Sequence, residues 1–470
     1  MSEAKYLEIA RRIESLIDIG HYAVGSKLPT HRALADEFNT TPVTIAKAYK
    51  VLAENGRIES FVGRGSFVRD RSQLKQVIQS HFADNEWNFS ILQPCYADHL
   101  ESLHTQLKNS FDQLSNPGLY GYTEDTGFSA HREAGFAWMQ KFGLRTGSAE
   151  QTLLTNGAQH ALSTLIELYT KPGDRIALEA QTYPGILSIA SFLGRQPVAV
   201  AMDEYGMLPE SLNEVCREYQ PAMVIIIPSH QNPTGATMSE DRRRTLASVI
   251  QRHPLWLVED DIYGFLNESP VTPVTDLIPE KSFYISSLSK AISPGLRCGY
   301  IKAPQNQVSR LASFIRATVW LASPLMFEVA SHLIMSGTAI EMANKQRDIA
   351  RHRQEIARHA LSPYTLSAQK TSFHIWLSLP GNWQADQFTL TAKERGLLVS
   401  SGSYFSVDLN QFSVDLNQFN TEPGQLNVEP RQNNAIRLSL MAIADEGSFR
   451  EGLRELATLL KTGKSGYLQF

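Results

Sequence analysis

The chain has 470 residues, too many for one compact domain; at about 150 residues per domain, about three units are expected. With 42% hydrophobic and 20% charged residues it has the composition of a soluble globular protein, which excludes wholesale disorder. Its 44 basic and 48 acidic side chains give a net charge of -4, which excludes a protein that coats nucleic acid along its whole length.

Charge is distributed unevenly. Residues 1–70 carry 10 basic and 9 acidic side chains, and the rest of the chain carries 34 and 39. Between His21 and Arg69 there are 7 basic against 4 acidic residues, so any contact with a polyanion is expected in this part. Cys95, Cys216 and Cys298 are odd in number and far apart, which implies neither a disulfide framework nor a metal site. Met1 to Arg12 is charged from residue 3 onward, so no secretory signal is expected there. The longest apolar runs, such as Met223–Ile227, have strand length and are too short to cross a bilayer. A cytoplasmic protein with no membrane contact is expected.

In chain order, Ile9, Ile13, Leu16 and Ile17 recur at helical spacing and predict an amphipathic helix over Glu3 to Ile19. Thr30 is a good N-cap for a short second helix through Phe38. Thr41 caps a third, with Pro42 at its first position, where a missing N–H costs little, and with Ile45, Ala48 and Leu52 as its buried stripe. Two short β-type runs then flank Gly63-Arg64-Gly65, a hairpin turn. Three helices and a β-ribbon make a winged helix-turn-helix. Its third helix would offer Thr40, Thr41, Thr44 and Lys47 to a major groove. Arg64 would reach a minor groove or phosphate, and His31 and Arg32 would hold the DNA backbone. The competing reading is a common small packing motif with no DNA role.

The pattern Gly25-x-x-Leu28-Pro29-x-x-Arg32-x-Leu34-Ala35, Thr44-x-x-x-Ala48-Tyr49-x-x-Leu52, Gly56 and Gly63-x-Gly65-Ser66-Phe67-Val68 resembles the GntR family of bacterial repressors over nearly all of 1–69. One departure stands out: the family usually has a base-contacting arginine where this chain has Pro42. The resemblance then puts sequence readout on Thr41, Thr44 and Lys47. Residues 70–88 are polar, with one weak apolar pattern at Leu74, Val77 and Ile78, and read as an interdomain linker.

From about residue 150 short apolar runs alternate with helical stretches: Leu153–Thr155, Arg175–Leu178, Val198–Ala201, Met223–Ile227, Leu255–Val258, Ser282–Ile285 and Gly299–Ile301. This predicts a mostly parallel buried sheet with crossover helices, an α/β large domain over 89–330. Beyond about 330, long helices and then strands such as Phe373–Leu379 and Ile436–Leu440 predict a smaller α+β domain over 331–470.

Four places in the large domain carry chemistry. Asn156-Gly157-Ala158-Gln159 joins a strand end to a helix start, where backbone N–H groups can cradle a phosphate. Asn232 sits in Asn-Pro-Thr-Gly after a very apolar strand. Glu259-Asp260-Asp261-Ile262-Tyr263 ends another buried strand, where three acids are costly unless a cation is present. Ser287, Ser289 and Arg297 surround Lys290. Each alone has a plain structural alternative. Together, an imine-forming lysine, a carboxylate for a pyridinium nitrogen, an amide and a phenol for a ring oxygen, and a phosphate nest are what pyridoxal 5'-phosphate (PLP) demands.

On these motifs, residues 90–470 resemble the fold-type I aminotransferases, most of all the branch of kynurenine and α-aminoadipate aminotransferases. With the GntR-like head, the whole chain resembles the MocR subfamily of PLP-dependent regulators. The resemblance implies that Lys290 holds PLP as an imine and that Asp260 pairs with the ring nitrogen. Tyr263 and Asn232 would bond the phenolic oxygen, while Gly157, Ala158, Gln159, Ser287, Ser289 and Arg297 would hold the phosphate. By the same resemblance Tyr183 stacks on the ring, Tyr122 reaches the phosphate of the neighbouring subunit in a head-to-tail homodimer, and Arg437 grips an effector carboxylate. Structural roles are expected for Glu259, Asp261 and His374. Residues Phe405–Gln411 are repeated letter for letter as Phe412–Gln418, which reads as a tolerated surface insertion or as an altered effector pocket. The expected function is a transcriptional regulator that binds operator DNA and senses PLP or an amino compound; a catalytically active aminotransferase with a DNA-binding appendage is the alternative.

Overall fold

A computed structural model describes residues 5–18, 21–22, 26–54, 57–61, 65–68, 86–96, 100–111, 114, 116–122, 126–407 and 434–462. The chain divides between Ser72 and Gln73 into two units. The first is built from α1 (Lys5–Asp18), α2 (His31–Glu37), α3 (Pro42–Glu54) and an antiparallel ribbon of β1 (Ile58–Phe61) and β2 (Gly65–Val68). Thr30 caps α2 by accepting the Ala33 amide, as its side chain predicts. Ile9 and Ile13 of α1, Leu34 of α2, and Ile45, Ala48, Tyr49 and Leu52 of α3 close one buried core. The Tyr49 hydroxyl donates to the Pro29 carbonyl at 2.7 Å, which ties α3 to the turn before α2.

The second unit starts earlier than its sequence suggests. Trp87 and Asn88, expected to close a linker, form β3 (Trp87–Asn88). Phe89 beyond it is fully buried. A pair of aromatics around one polar residue is too short a pattern to reveal a strand by periodicity. The large domain follows with β4 (Thr152–Asn156), β5 (Arg175–Glu179), β6 (Gln196–Val200), a small hairpin of β7 (Met202–Asp203) and β8 (Gly206–Met207), β9 (Met223–Ile226), β10 (Trp256–Asp260), β11 (Ser282–Ser287) and β12 (Cys298–Lys302). Seven of these strands form one sheet in the order β4-β12-β11-β10-β9-β5-β6. Its pairs are parallel except those of β12. Helices pack both faces, so the strands are apolar nearly throughout, which is why they stand out in the sequence.

The small domain holds β13 (Leu366–Ser367), β14 (His374–Ser378), β15 (Leu397–Leu398), β16 (Ser400–Ser401) and β17 (Ala435–Ser439). Four of them form a sheet in the order β13-β14-β17-β16, and β15 pairs in parallel with β3. Phe89 joins the small-domain core, so the chain enters the second unit through its small domain. Among the described residues no helix is long and apolar enough to cross a membrane.

All six tryptophans lie beyond Ser72, so tryptophan fluorescence reports the second unit alone. Ile45→Ala should lower the stability of the head by about 2–5 kcal/mol, the usual cost of truncating a fully buried isoleucine. In denaturant titrations followed by circular dichroism, an early helical transition should move down while the fluorescence transition stays in place. An unchanged circular dichroism curve would contradict the assigned core.

Candidate functional site

Strand register brings the sequence-predicted residues together. In a parallel sheet the carboxyl ends of the strands share one edge, and loops leaving that edge form the site. At this edge β4 ends at Asn156, β5 at Glu179, β10 at Asp260 and β11 at Ser287. Because β12 runs the other way, its first residue joins them: Cys298 pairs with Asn156, and Gly299 pairs with Ser287 and Thr155. Arg297, just before β12, is thereby delivered to the start of the helix Ala158–Tyr169.

That junction is a tight cradle. Gly157 caps the helix with φ of 80°, a left-handed conformation that favours glycine. A Cβ at Gly157 would fall 2.9 Å from Arg297 Nη2, and one at Gly299 would fall 2.6 Å from the Gly157 carbonyl carbon. Arg297 donates from Nη2 to the Asn156 carbonyl at 2.8 Å. Ser287 Oγ accepts the Ser289 amide at 3.1 Å and lies 2.9 Å from Ser289 Oγ. Gln159 donates to the Gly185 carbonyl at 3.4 Å, while its Oε1 is buried with no partner among the described residues. Ala158 opens the helix beside them. Helix N–H groups, hydroxyls and a guanidinium around one helix start are the donors an anionic phosphate needs.

The reactive groups stand at or just beyond the carboxyl ends of the neighbouring strands. Lys290 donates from Nζ to the Leu92 carbonyl at 2.6 Å. Burial, and then the Arg437 charge, lower its pKa to about 8 against the opposing pull of Asp260. Asp260 is 2% exposed, and among the described residues its Oδ1 has no hydrogen-bond partner. Burial, and then Asp261, push its carboxyl up to about 7 in spite of the Ile262 amide and Lys290. Tyr263 and Tyr183 are close enough to Asp260 and Arg437 to feel both charges. Burial raises both phenols, that of Tyr183 to about 12.

Glu259 and Asp261 have structural roles, as expected. Glu259 accepts the Val274 and Thr275 amides at 3.0 and 2.7 Å and lies 3.6 Å from Arg243, and Asp261 accepts the Tyr284 hydroxyl at 2.8 Å. His374 packs as expected too. It is buried, it donates from Nε2 to the Gln231 carbonyl at 2.9 Å, and burial lowers its pKa to about 3.

Arg437, in the central strand of the small sheet, closes the site from the other side. Its Nη1 donates to Asn232 Oδ1 at 2.9 Å and its Nη2 donates to the Ser90 carbonyl and, at 3.3 Å, to Ser400 Oγ. The guanidinium lies 4.8 Å from the Phe405 ring centroid. With Oδ1 held by Arg437, the Asn232 amide has its NH2 left as donor. Among the described residues no carboxylate pairs with Arg437. Burial first lowers its pKa, to about 10.

Sequence reading missed several members of this site. Gln231 donates to Glu179 Oε2 at 2.9 Å and to the Gln181 carbonyl, and it accepts the Thr234 amide and hydroxyl, so it fixes the turn that carries Asn232. Burial raises Glu179 to about 8. The backbone carbonyls of Ser90 and Leu92 carry no side-chain signal at all. Gln231, directly before Asn232, and Glu179, at the end of an apolar strand, were the readable hints.

Other expected residues lie elsewhere. Tyr122 is 84% exposed and its ring is 5.0 Å from that of Trp320, so the sheet edge of its own chain does not include it. In the head, His31, Arg32, Thr41 and Lys47 are exposed, and Thr40 and Thr44 are half-buried. The Thr41 and Thr44 hydroxyls lie 2.9 Å apart, and Thr41 Oγ1 accepts the Thr44 amide at 3.2 Å. Arg64, Leu74, Val77 and Ile78 lie outside the described residues, as does most of the repeat at 405–418.

Residues 85–418 match the family model for class I and II aminotransferases, and the chain belongs to this family. Residues 5–68 match the model for bacterial regulatory proteins of the gntR family. One relative is the uncharacterized HTH-type transcriptional regulator YdeF of Bacillus subtilis, 29% identical over 403 residues, with 86% of this chain and 87% of YdeF covered. A second is the HTH-type pyridoxine biosynthesis transcriptional regulator PdxR of Corynebacterium glutamicum, 24% identical over 362 residues, with 75% and 78% covered. The structure of the Pyrococcus horikoshii kynurenine aminotransferase aligns with a TM-score of 0.70 at 23% identity, over 83% of this chain and 93% of that one. The second unit therefore has the fold-type I aminotransferase fold, and its cofactor is PLP. The side chains fit that group: Asp260 Oδ1 is a buried acceptor with no donor among the described residues, and the glycine-lined helix start with Arg297 suits a phosphate.

A lysine with a pKa of about 8 has about a tenth of its amines neutral at pH 7 and most of them neutral at pH 9. Covalent capture of PLP, read as growth of the visible absorbance band, should therefore speed up about tenfold from pH 7 to pH 9 and then level off. A rate still climbing steeply above pH 9 would show an ordinary lysine. Lys290→Ala should show no such band at any pH.

Proposed function

We propose that this chain is a DNA-binding transcriptional regulator whose head responds to PLP or an amino compound held at the sheet edge. The observation that carries the reading is the union, in one chain, of a gntR-type head at 5–68 with a site whose PLP-facing groups are all present. PdxR, with a name that places it in pyridoxine biosynthesis regulation, supports PLP itself as a signal.

In this reading Lys290 supplies the amine that joins PLP, and Asp260 holds a proton on the ring nitrogen. Asn232 and Tyr263 hydrogen-bond the phenolic oxygen. Gly157, Ala158, Gln159, Ser287, Ser289 and Arg297 hold the phosphate, and Tyr183 covers the ring. The bound cofactor supplies an aldehyde and an electron-withdrawing ring. Arg437, a buried cation without a carboxylate of its own among the described residues, binds the carboxylate of an amino compound bidentately. Binding on this edge shifts the equilibrium between arrangements of the heads, since a ligand acts only through its unequal affinity for them. On the DNA side, Thr40, Thr41, Thr44 and Lys47 face the major groove, with His31, Arg32 and Arg64 on the backbone or minor groove.

The working form is a head-to-tail homodimer in the cytoplasm. Support for the dimer comes from Tyr122 and Trp320, aromatic neighbours that a single chain leaves exposed. The intact set of Lys290, Asp260, Tyr263 and Arg437 favours one second reading, an active aminotransferase.

Binding of the full chain to the DNA upstream of its own gene, with and without PLP and at two salt concentrations, separates the readings. The regulator predicts sequence-specific, salt-sensitive binding whose affinity changes severalfold with PLP or an added amino acid, and whose response is lost in Lys290→Ala. Specific binding that ignores both ligands would contradict sensing. Rapid conversion of an amino acid with a 2-oxo acid acceptor, without specific DNA binding, would establish the enzyme.

A further inference from the structure

The proposed DNA contact has an unusual composition. Helix α3 turns Ile45, Ala48, Tyr49 and Leu52 into the head core, so the rest of its surface faces outward. On that outer side Val43 and Lys47 stand four residues apart, one helical turn, and form one face. Val43 is 66% exposed, and among the described residues it is the one exposed large apolar side chain of the head. A lone exposed valine on an ordinary surface needs no explanation. This one occupies the first turn of the helix assigned to the major groove, in a unit that matches the gntR family.

Its neighbours offer little hydrogen-bond readout. Pro42 has no N–H and an apolar ring. Thr41 Oγ1 caps the helix by accepting the Thr44 amide, and the contact between the Thr41 and Thr44 hydroxyls uses one of their two hydrogens within the helix. The first turn thus offers a base edge mainly aliphatic surface, with the Lys47 cation one turn along. In the major groove one base carries an apolar group, the C5-methyl of thymine.

We infer that Val43, flanked by Pro42, reads sequence by packing on a thymine C5-methyl in each half-site, with Lys47 placed for a neighbouring phosphate or guanine. The inference rests on the proposed DNA-binding reading and deepens it. It makes Val43 a specificity-determining residue that the polar candidates had hidden.

Random duplexes enriched on the full-length protein give the bound sequence. Each thymine in it is then replaced in turn by deoxyuridine, which removes the methyl and leaves the pairing edge unchanged. Kd is measured for wild type and for Val43→Ala and Val43→Thr, with thermal melts to confirm that the exposed substitutions leave the head folded. Wild type should lose about fourfold in Kd at one thymine per half-site, the scale of one methyl-sized apolar contact. Val43→Ala, which removes the contact from both heads of the dimer, should lose about sixteenfold on the parent site and be indifferent to deoxyuridine at that position alone. Val43→Thr, which keeps one methyl, should retain part of the sensitivity. If every deoxyuridine affects wild type and Val43→Ala equally, the methyl contact is overturned while DNA reading stands. If no sequence is enriched, the DNA-binding reading fails and this inference fails with it.

Discussion

Burying a carboxylate at the end of a central strand costs several kcal/mol unless a cation or hydrogen-bond donors meet it. Asp260 is such a carboxylate. Among the described residues its Oδ1 finds no donor, and its pKa rises to about 7. Its neighbours in sequence differ because successive strand residues point to opposite faces. Glu259 and Asp261 turn to one side, where both feel the Arg243 cation, and where Glu259 also receives two amides and a threonine hydroxyl. Asp260 turns to the other side, toward Lys290. A sequence run of three acids is thus two structural groups and one left without a donor among the described residues, and the pleat decides which is which.

The rest of the site is set by strand direction and by the small sheet. Reversal of β12 sets Arg297 against Gly157, and this close approach explains both glycines at the junction. At the opposite side Arg437 joins the small sheet to Asn232 of the large domain. The amide of Asn232 is therefore oriented by an arginine that is itself assigned to a ligand carboxylate. A ligand that draws Arg437 toward itself would weaken its hold on Asn232, the residue proposed to bond the phenolic oxygen of the cofactor. In the proposed reading, effector and cofactor would be coupled through this one hydrogen bond at 2.9 Å.

Much of this was legible in the sequence. Buried strands such as Met223–Ile226 and Ser282–Ser287 read directly because both sheet faces are covered. The helix-turn-helix read from Thr30, Thr41 and Pro42 because caps are local chemistry. Lys290, Asp260, Tyr263 and Arg437 came from family resemblance; the fold gathers the first three at one sheet edge, with Arg437 of the small sheet facing them. What stayed hidden depends on tertiary position. The Ser90 and Leu92 carbonyls have no side-chain signature, and Gln231 became important only once Glu179 and Gln181 stood beside it. Trp87–Asn88 looked like linker because its partner, Leu397–Leu398, lies some three hundred residues away. Thr41 read as a cap, but its contact with the Thr44 hydroxyl shows only once the helix brings the two together.

The central claim is that Asp260 holds a proton on the nitrogen of a bound pyridine ring. It is tested most directly by the 15N chemical shift of 15N-labelled PLP bound to the full chain at neutral pH. The account predicts the shift of a protonated ring nitrogen in the wild type and of an unprotonated one in Asp260→Asn. An unprotonated nitrogen in the wild type, or a protonated one that survives in Asp260→Asn, would contradict it.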